Sequence, residues 1–308
     1  YDIEKNFDFE NPAKHLKDLM LAYEKIQSLE DIHWRQIKQR QISQIIEACA
    51  GLYLEASSES SSAVPNDLLE VTVEVLNRNS EIPIFLESIS YKSDKIENIS
   101  YDILLENNLK QQFKKTLNLE KLSYSDPYWL QTEGSLGMYN VNKKTLIGKP
   151  ETPRKAVVFF NLLIGTTQIT FKKNIIHRYS KRDQGELYDP FEIVPLVTTK
   201  LNDKVLLFSD AKERTVKVDV RSGANNIKGK LFLKVPKGWK VSPTFIDIEI
   251  KEKGDTQAYQ FLITPTIDDS EGTIKASVIV DGEKFDKELI EIKYDHIPKQ
   301  TVLKKSEA

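Results

Sequence analysis

Two short aromatic stretches hold the side chains best suited to binding a ligand. Tyr128 and Trp129 follow a proline inside the aromatic cluster of residues 124–130, and Trp239 follows a glycine further along the chain. Flat aromatic faces stack on pyranose rings, so these three side chains predict a carbohydrate-binding surface. Aromatic residues beside a proline also fill the interior of many β-sandwiches, and the sequence leaves this structural role open for all three.

The richest polar stretch contains the second set of candidates, His177, Arg182 and Glu186. Gly185 could form a turn that presents Glu186 in a loop directed at a ligand or at a neighbouring domain. The alternative is a solvated hairpin, whose surface ion pairs would each contribute about 0–1 kcal/mol. A hydrolase built on Glu186 and His177 would need a positioned catalytic partner, and the sequence indicates none.

No spacing of histidines, carboxylates or serines predicts catalysis or metal binding. The four histidines form no i,i+4 pair that would make a metal-binding face. Residues 268–272 cluster carboxylates without the spaced ligands of an EF-hand loop, which favours a plain acidic turn. Ser135 lacks the Gly-x-Ser-x-Gly setting of a nucleophile elbow. We therefore assign no catalytic residue and no metal ligand.

Composition argues against two classes of partner. The 308 residues carry 44 Lys and Arg against 46 Asp and Glu, so the chain lacks the basic field that nucleic-acid binding requires. No apolar stretch approaches the roughly 20 residues that a membrane-spanning helix needs. The single cysteine, Cys49, cannot form an intrachain disulfide. The first residue is Tyr1 and not methionine, from which we expect a fragment or a processed chain.

Residues 1–62 predict an antiparallel helical hairpin and a serine-rich linker. An Asn-Pro pair at residues 11–12 is a helix start, and apolar residues then recur at helical spacing through 16–29 and 34–52. Residues 56–62 are almost all Ser, Ala and Glu, which indicates a flexible joint. Two helices bury too little surface to be stable alone, so the hairpin must pack on a sandwich of this chain or on another domain.

Residues 63–200 predict the first β-sandwich. Alternating apolar and polar residues over 69–75 indicate a half-buried strand. Residues 157–164 form a nearly continuous apolar run, which is typical of a strand covered on both faces. The stretch 124–195 is interpreted as the middle of this sandwich. Further strands are expected at 84–89, 99–105 and 117–122, and the polar segment 107–115 is ambiguous.

Residues 201–296 predict a second, immunoglobulin-like sandwich, since they contain the seven short apolar runs that such a domain needs. These runs are 205–208, 216–220, 230–235, 245–250, 258–263, 273–280 and 289–292. Asp281-Gly282 is a strong two-residue hairpin signal. Residues 297–308 are charged and lack periodicity, which indicates a tail or linker. The expected fold is therefore mainly β with a small α part, a helical hairpin followed by two β-sandwich domains.

The order of these features resembles the region that follows the catalytic domain in large bacterial PIG-L (LmbE-like) deacetylases. The hairpin and the first sandwich carry the resemblance, with Pro127-Tyr128-Trp129-Leu130, Gly185-Glu186 and the closing Pro195. In the second sandwich, Pro236-Lys237-Gly238-Trp239-Lys240-Val241 is similar to the Pro-x-Gly-Trp-x-Val signature of the Ig-like module associated with α-galactosidases. That module is an accessory domain and not a catalytic one.

The resemblance implies a non-catalytic accessory region of a zinc-dependent enzyme that removes acetyl groups from N-acetylglucosamine-type sugars. The family carries its zinc on a His-Pro-Asp-Asp motif and a distant histidine, and this chain contains no His-Pro pair. No cofactor is therefore expected in this chain, and zinc is expected in the upstream catalytic domain, which is the implied partner. The resemblance also implies a bacterial periplasmic or secreted location. The alternative function is a carbohydrate-binding module that uses exposed aromatic residues.

Overall fold

The computed structural model describes residues 2–208, 212–266 and 271–308. Strands make up 48% of the chain and helices 14%, which confirms the prediction of a mainly β fold with a small helical part. The chain divides into two compact units. The first contains Tyr1–Glu59, Leu68–Asn118 and Arg154–Tyr188, and the second contains Ser60–Asp67, Leu119–Pro153 and Asp189–Ala308. This division differs from the predicted boundaries, because each unit is assembled from three separate segments.

The helices lie in the first unit and are α1 (Asp2–Lys5), α2 (Leu16–Gln27) and α3 (Ile32–Cys49), with a 3-10 turn at Pro12–His15 before α2. The Asp31 carboxylate caps α3 by accepting a hydrogen bond of 3.1 Å from the Trp34 N–H. Gly51 follows the end of α3 with a φ of 58°, a left-handed conformation that glycine adopts without a steric penalty. The predicted hairpin is therefore confirmed.

The strands in chain order are β1 (Leu52–Ser58), β2 (Ser62–Ala63), β3 (Leu68–Asn77), β4 (Ile84–Lys92), β5 (Ile96–Leu104), β6 (Gln111–Asn118), β7 (Val157–Ile164), β8 (Thr167–Asn174), β9 (Ile176–Lys181), β10 (Gly185–Pro190), β11 (Glu192–Ile193), β12 (Val197–Leu201), β13 (Arg214–Ser222), β14 (Ile227–Lys234), β15 (Lys240–Ser242), β16 (Ile246–Ile250), β17 (Thr256–Thr264), β18 (Lys275–Val280), β19 (Glu283–Phe285), β20 (Lys287–Tyr294) and β21 (Ile297–Lys305).

The first sandwich pairs a five-stranded sheet, in the order β10-β9-β1-β3-β6, with a four-stranded sheet, in the order β5-β4-β7-β8. The predicted apolar run forms β7, a central strand whose alternate side chains are fully buried. The helical hairpin packs on this sandwich. The Thr167 hydroxyl donates a hydrogen bond of 2.9 Å to Glu24 of α2, and Lys173 of β8 forms an ion pair with Glu47 of α3. The hairpin buries Leu16, Leu19, Ile42 and Ile46 within its own unit, whereas Trp34 and Ile45 remain about half exposed.

The serine-rich linker predicted at 56–62 is wrong over residues 56–58, which complete β1 at the centre of the five-stranded sheet, whereas residues 59–61 lie between β1 and β2. Leu54 and Ala56 face the core and are almost fully buried. Small side chains fit where strands on both sides supply the backbone hydrogen bonds, so tertiary pairing overrides the low strand propensity of alanine and serine. The ambiguous polar segment also becomes a strand. It forms β6, an edge strand with one solvated face, where polar residues are tolerated.

The aromatic cluster 124–130 does not lie in a sandwich, contrary to the interpretation above. In the described chain no strand runs between Asn118 and Val157, and residues 119–153 belong to the second unit. The cluster contains two turn-forming residues, Asp126 and Pro127, and proline cannot donate to a strand ladder. An irregular backbone at this point therefore follows from its own chemistry.

The second sandwich has the immunoglobulin-like strand arrangement. One sheet has the order β12-β13-β17-β15, and the other has the order β16-β14-β18-β19. These correspond to strands A-B-E-D and, after one additional edge strand, C-F-G of the immunoglobulin fold. The first strand is β12, not the predicted run 205–208, which lies outside any strand. Residues 268–270 of the predicted acidic turn lie outside the described residues.

The tail predicted at 297–308 is wrong, since residues 297–305 form β21 and pair with β20 as an antiparallel hairpin. Val302 and Leu303 are buried between charged neighbours, and two adjacent apolar residues were too short a signal to be recognised as a strand. Beyond β21, Ala308 exchanges two backbone hydrogen bonds with Ile274, of 2.9 and 3.0 Å. The last residues therefore extend the sheet that contains β18.

Phe261 and Leu262 provide a test of the second core. Phe261 is fully buried opposite Val216, whereas the neighbouring Leu262 is 40% exposed. We expect Phe261→Ala to lower the free energy of unfolding by about 3–5 kcal/mol, because it leaves a cavity. Leu262→Ala should cost less than about 1 kcal/mol. Denaturant unfolding followed by circular dichroism measures both losses, and losses of equal size would contradict this assignment of the strand faces.

Candidate functional site

A groove in the second unit is formed by an irregular segment and the β20-β21 hairpin. It has a volume of about 1090 Å³ and is open to solvent. One wall is the segment 129–139, which includes Trp129 and Tyr139, and the other contains Lys287, Leu303 and Lys305. A groove of this volume is large enough for several sugar residues or a ligand of similar size.

Trp129 is the one predicted aromatic candidate that lines this groove. Its indole is half-buried and packs edge-on against the Tyr128 ring, with ring centroids 4.8 Å apart and an interplanar angle of 90°. Tyr128 itself is buried, and its hydroxyl donates a hydrogen bond of 3.2 Å to the Lys149 carbonyl. Tyr128 therefore has the structural role that the sequence left open, and it supports the indole beside it.

Hydrogen bonds hold the residues before Trp129 in place, although these residues belong to no strand. The Ser125 N–H donates to the Ile193 carbonyl at 2.8 Å, and the Ile193 N–H donates to the Ser125 hydroxyl at 2.9 Å. The Tyr128 N–H donates to the Thr152 hydroxyl at 2.8 Å. The backbone on both sides of residues 126–127 is thereby fixed, which limits the positions that Trp129 can take.

Asp126 connects this segment to the opposite wall of the groove. Its carboxylate accepts a hydrogen bond of 3.1 Å from the Leu303 N–H of β21. Burial raises the pKa of Asp126, and the Leu303 N–H and the nearby Lys287 ammonium oppose this shift only in part. Asp126 is thus a structural acceptor that joins the two walls.

A tight turn at Gly134–Met138 gives the first wall an exposed apolar tip. Ser135 and Met138 exchange backbone hydrogen bonds of 3.0 and 3.1 Å. A Cβ atom on Gly134 would lie 2.5 Å from the Met138 carbonyl oxygen, so this close approach requires glycine. Leu136, Met138 and Tyr139 are all more than half exposed. Trp129 and Tyr139 together give the groove two accessible aromatic rings.

Trp239 has a structural environment. It packs against the core of the second sandwich, and its indole meets the Phe208 ring edge-on at a centroid distance of 4.9 Å. It does not line the described groove. Packing against the core therefore accounts for Trp239. Trp129 differs, because its indole packs on the buried Tyr128 ring and is still accessible to solvent.

The structure separates the three polar candidates of the first unit. The Nδ1 atom of His177 lies 3.1 Å from the Ser58 carbonyl oxygen, and its ring stacks on Tyr179. Arg182 is exposed between β9 and β10 and bonds to no side chain in the part of the chain that the structure describes. Glu186 accepts a hydrogen bond from the Tyr188 hydroxyl. No described contact joins His177 to Glu186, so the geometry gives no acid-base pair.

Glu186 instead belongs to a row of polar side chains that crosses the five-stranded sheet. Glu55 and Glu74 lie directly opposite each other on β1 and β3, and both are buried. Arg178 of β9 approaches both carboxylates, at 3.0 Å from Glu55 Oε1 and 3.2 Å from Glu74 Oε2, and it lies 4.0 Å from Glu186. The Lys110 ammonium adds an ion pair of 3.1 Å to Glu74. Two like charges directly opposite in a sheet repel each other, and Arg178 compensates this repulsion.

Arg178 is only partly able to satisfy Glu55. The Arg178 guanidinium lies close to Glu55 Oε1, but this buried oxygen accepts no hydrogen bond of good geometry from the described residues. The Tyr53 hydroxyl donates a hydrogen bond of 2.7 Å to the other oxygen of Glu55. Burial raises the pKa of Tyr53, and the hydrogen bond to the Glu55 carboxylate raises it further. The row is an ion-pair network without a free nucleophile or base.

The described residues show neither a metal-binding cluster nor a membrane-spanning helix. Across residues 2–208, 212–266 and 271–308, no three His, Cys, Asp or Glu side chains are grouped closely enough to hold a metal ion. Within the same ranges, no helix is long and apolar enough to cross a bilayer.

Sequence reasoning missed the second wall of the groove and the charge network. The groove wall includes β21, which was interpreted as a linker, and Tyr139 stood in a segment with no periodic signal. Arg178 lies in the same polar stretch as His177 but was not among the candidates. Glu74 was assigned to the polar face of its strand, and its pairing with Glu55 depends on a strand register that only the tertiary structure shows.

No protein-family model matches this chain, and no curated protein sequence matches it. Solved structures are similar to it at a low level. Red sea bream transglutaminase is 10% identical with a TM-score of 0.31, over 89% of this chain and 34% of that one. The α2-macroglobulin of Escherichia coli in its native conformation is 10% identical with a TM-score of 0.25, over 82% of this chain and 16% of that one. Salmonella α2-macroglobulin reacted with methylamine is 13% identical with a TM-score of 0.26, over the same shares.

The chain spans about a third or less of the length of these solved structures. Their TM-scores are too low to support any statement on function. The site must therefore be judged on its own chemistry.

Substitution of Arg178 tests the charge network. We expect Arg178→Met to lower the free energy of unfolding by about 3 kcal/mol, the lower end of the range for breaking a buried ion pair. The lower end applies because the Arg178 side chain is 29% exposed and solvent screens part of the charge. Arg182→Met is the matched control and should change stability by less than about 0.5 kcal/mol. Denaturant unfolding that shows the same loss for both variants would contradict the assignment.

The same variant has a predicted pH dependence. Burial raises the pKa of Glu74, but the hydrogen bonds from Arg178 and Lys110 outweigh it, and the net pKa lies below the ordinary value of 4.5. A lowered pKa stabilises the fold above the unfolded-state value, and this stabilisation is lost as pH falls through the folded-state value. The stability difference between the native chain and Arg178→Met should therefore be largest near neutral pH and shrink below about pH 4.

Proposed function

We propose that this chain is a non-catalytic region that binds a glycan in the groove beside Trp129. The observation that carries the proposal is the half-buried Trp129 indole, which is fixed from behind by Tyr128 and faces an open groove. A rigid aromatic ring at the wall of an open groove offers a stacking surface for a pyranose ring. Tyr139 supplies a second ring on the same wall.

The rest of the lining suits the hydroxyl groups of a sugar. Gln131, Thr132 and Ser135 line the groove and offer amide and hydroxyl groups that both donate and accept hydrogen bonds. Trp129 can contribute stacking at a low entropic cost, because its side chain is already held in place. The alternative function predicted from the sequence is thus supported at Trp129, whereas the environments of Tyr128 and Trp239 support a structural role.

Trp129→Ala tests the glycan proposal. Stacking on an aromatic side chain contributes about 1–3 kcal/mol, so the variant should bind at least about fivefold more weakly. Isothermal titration with chitin-derived and glycosaminoglycan-derived oligosaccharides measures the affinity. Trp34→Ala is the matched control, because Trp34 is 54% exposed on α3 in the other unit.

The proposal fails if none of these oligosaccharides binds to the native chain. It also fails if Trp129→Ala binds as tightly as Trp34→Ala. A circular dichroism spectrum of each variant establishes that the fold is intact and that a lost affinity reports the groove.

We further propose that the region belongs to a zinc-dependent N-acetylglucosamine-type sugar deacetylase, whose catalytic domain it stabilises or orients. The ordered resemblance to the region following the catalytic domain of PIG-L deacetylases supports this proposal, and a glycan-binding groove is compatible with a sugar substrate. The zinc and the catalytic residues would lie in the upstream domain. A periplasmic or secreted location is proposed on the same resemblance.

The accessory role is tested with the upstream domain itself. The reading frame before the Tyr1 codon should encode a domain with a His-Pro-Asp-Asp motif. We expect this domain to melt several degrees higher when it is joined to the present chain than when it is expressed alone. Differential scanning calorimetry of the two forms makes the comparison, and an unchanged melting temperature would argue against the accessory role without affecting the glycan proposal.

A further inference from the structure

The carboxylates that line the groove are all neutralised by lysines. Glu133 forms an ion pair of 3.1 Å with Lys305, and Glu288 pairs with Lys204. Glu307 pairs at 3.1 Å with Lys275, which lies outside the groove. These three glutamates are the acidic side chains of the described lining. A bound ligand therefore meets no uncompensated negative charge from them.

Two lysines of the lining have no such partner. Among the described residues, Lys287 and Lys304 form no ion pair, although both line the groove. Lys287 interacts at longer range with the Asp126 carboxylate. That carboxylate already accepts a hydrogen bond from the Leu303 N–H, and burial raises its pKa. Lys304 is exposed. The lining thus carries four lysines against three paired glutamates, an excess of positive charge.

We infer that the groove takes an acidic glycan, a sugar chain that carries carboxylate or sulfate groups. This inference rests on the proposed glycan-binding function and names its ligand class. A pyranose ring stacks on Trp129, and the ammonium groups of Lys287 and Lys304 hold acidic groups of the chain across the groove. Lysine acts as a point charge without the planar geometry of arginine, so it serves carboxylates and sulfates alike.

The lysine side chains that would attract the acidic groups lie at the open surface of the groove. Each lysine contact at an open surface is worth about 0.2–1 kcal/mol and is screened by salt. The preference for an acidic over a neutral glycan should therefore be large at low ionic strength. It should shrink at about 0.5 M salt, whereas the stacking on Trp129 remains.

The experiment compares three hexasaccharides by isothermal titration at low salt: an oligogalacturonate, a sulfated oligosaccharide and neutral chitohexaose. The native chain should bind at least one acidic ligand about three- to tenfold more tightly than the neutral one. The double variant Lys287→Gln/Lys304→Gln should lose this preference and bind the acidic ligands no more tightly than it binds chitohexaose. Comparing the oligogalacturonate with the sulfated ligand shows which acidic group is preferred.

The matched control is Lys237→Gln/Lys240→Gln, which removes the same charge from exposed lysines of the same unit outside the groove. An equal loss of acidic preference in both double variants would overturn the inference, because it would assign the effect to net charge. Binding of chitohexaose as tight as that of both acidic ligands would also overturn it and leave the proposed function intact. Absence of binding by all three ligands would overturn the proposed function as well.

Discussion

The groove depends on hydrogen bonds that fix a segment without secondary structure of its own. Ser125 exchanges two hydrogen bonds with Ile193, and the Asp126 carboxylate accepts the Leu303 N–H from the opposite wall. Because the backbone before Trp129 cannot satisfy its polar groups within a strand, Ser125 pairs with β11, and the Asp126 side chain in turn satisfies the Leu303 N–H of β21. The same bonds hold the indole against Tyr128, so the stacking surface is preorganised before any ligand arrives.

The two units use buried polar groups in different ways. In the first unit, Glu55 and Glu74 are forced together by strand register, and Arg178 neutralises them at the centre of the sheet. The charged groups of this network are committed to one another, although one buried oxygen of Glu55 accepts no hydrogen bond from the described residues. In the second unit, the charges of the groove lie near the surface apart from the buried Glu288, and the lysines of the lining outnumber its glutamates. Binding chemistry is therefore better supported in the second unit.

Strands such as β7 and β13 were predictable because their apolar residues form long runs or alternate with polar ones. A strand that buries one face of a sheet places an apolar residue at every second position. β1 and β21 were missed because neither sequence has a clear strand period. The second half of β1 is Glu-Ala-Ser-Ser and is held by strands on both sides, whereas β21 has two adjacent apolar residues among polar ones and pairs with β20 in a two-stranded sheet. At the site, Trp129 was predictable as a residue type, but its separation from Trp239 was not. That distinction depends on which indole ring faces a core and which faces a groove. The sequence does not separate the two, because both tryptophans follow a turn.

The measurement that tests the central claim most directly is a two-dimensional ¹H–¹⁵N spectrum of the chain during titration with an acidic oligosaccharide. The chain contains three tryptophans, Trp34, Trp129 and Trp239, and each contributes one indole N–H resonance. The account predicts that the Trp129 resonance shifts in a saturable manner while those of Trp34 and Trp239 stay in place. A shift of Trp239 or Trp34 with an unmoved Trp129 would contradict it, since the glycan would then bind outside the groove.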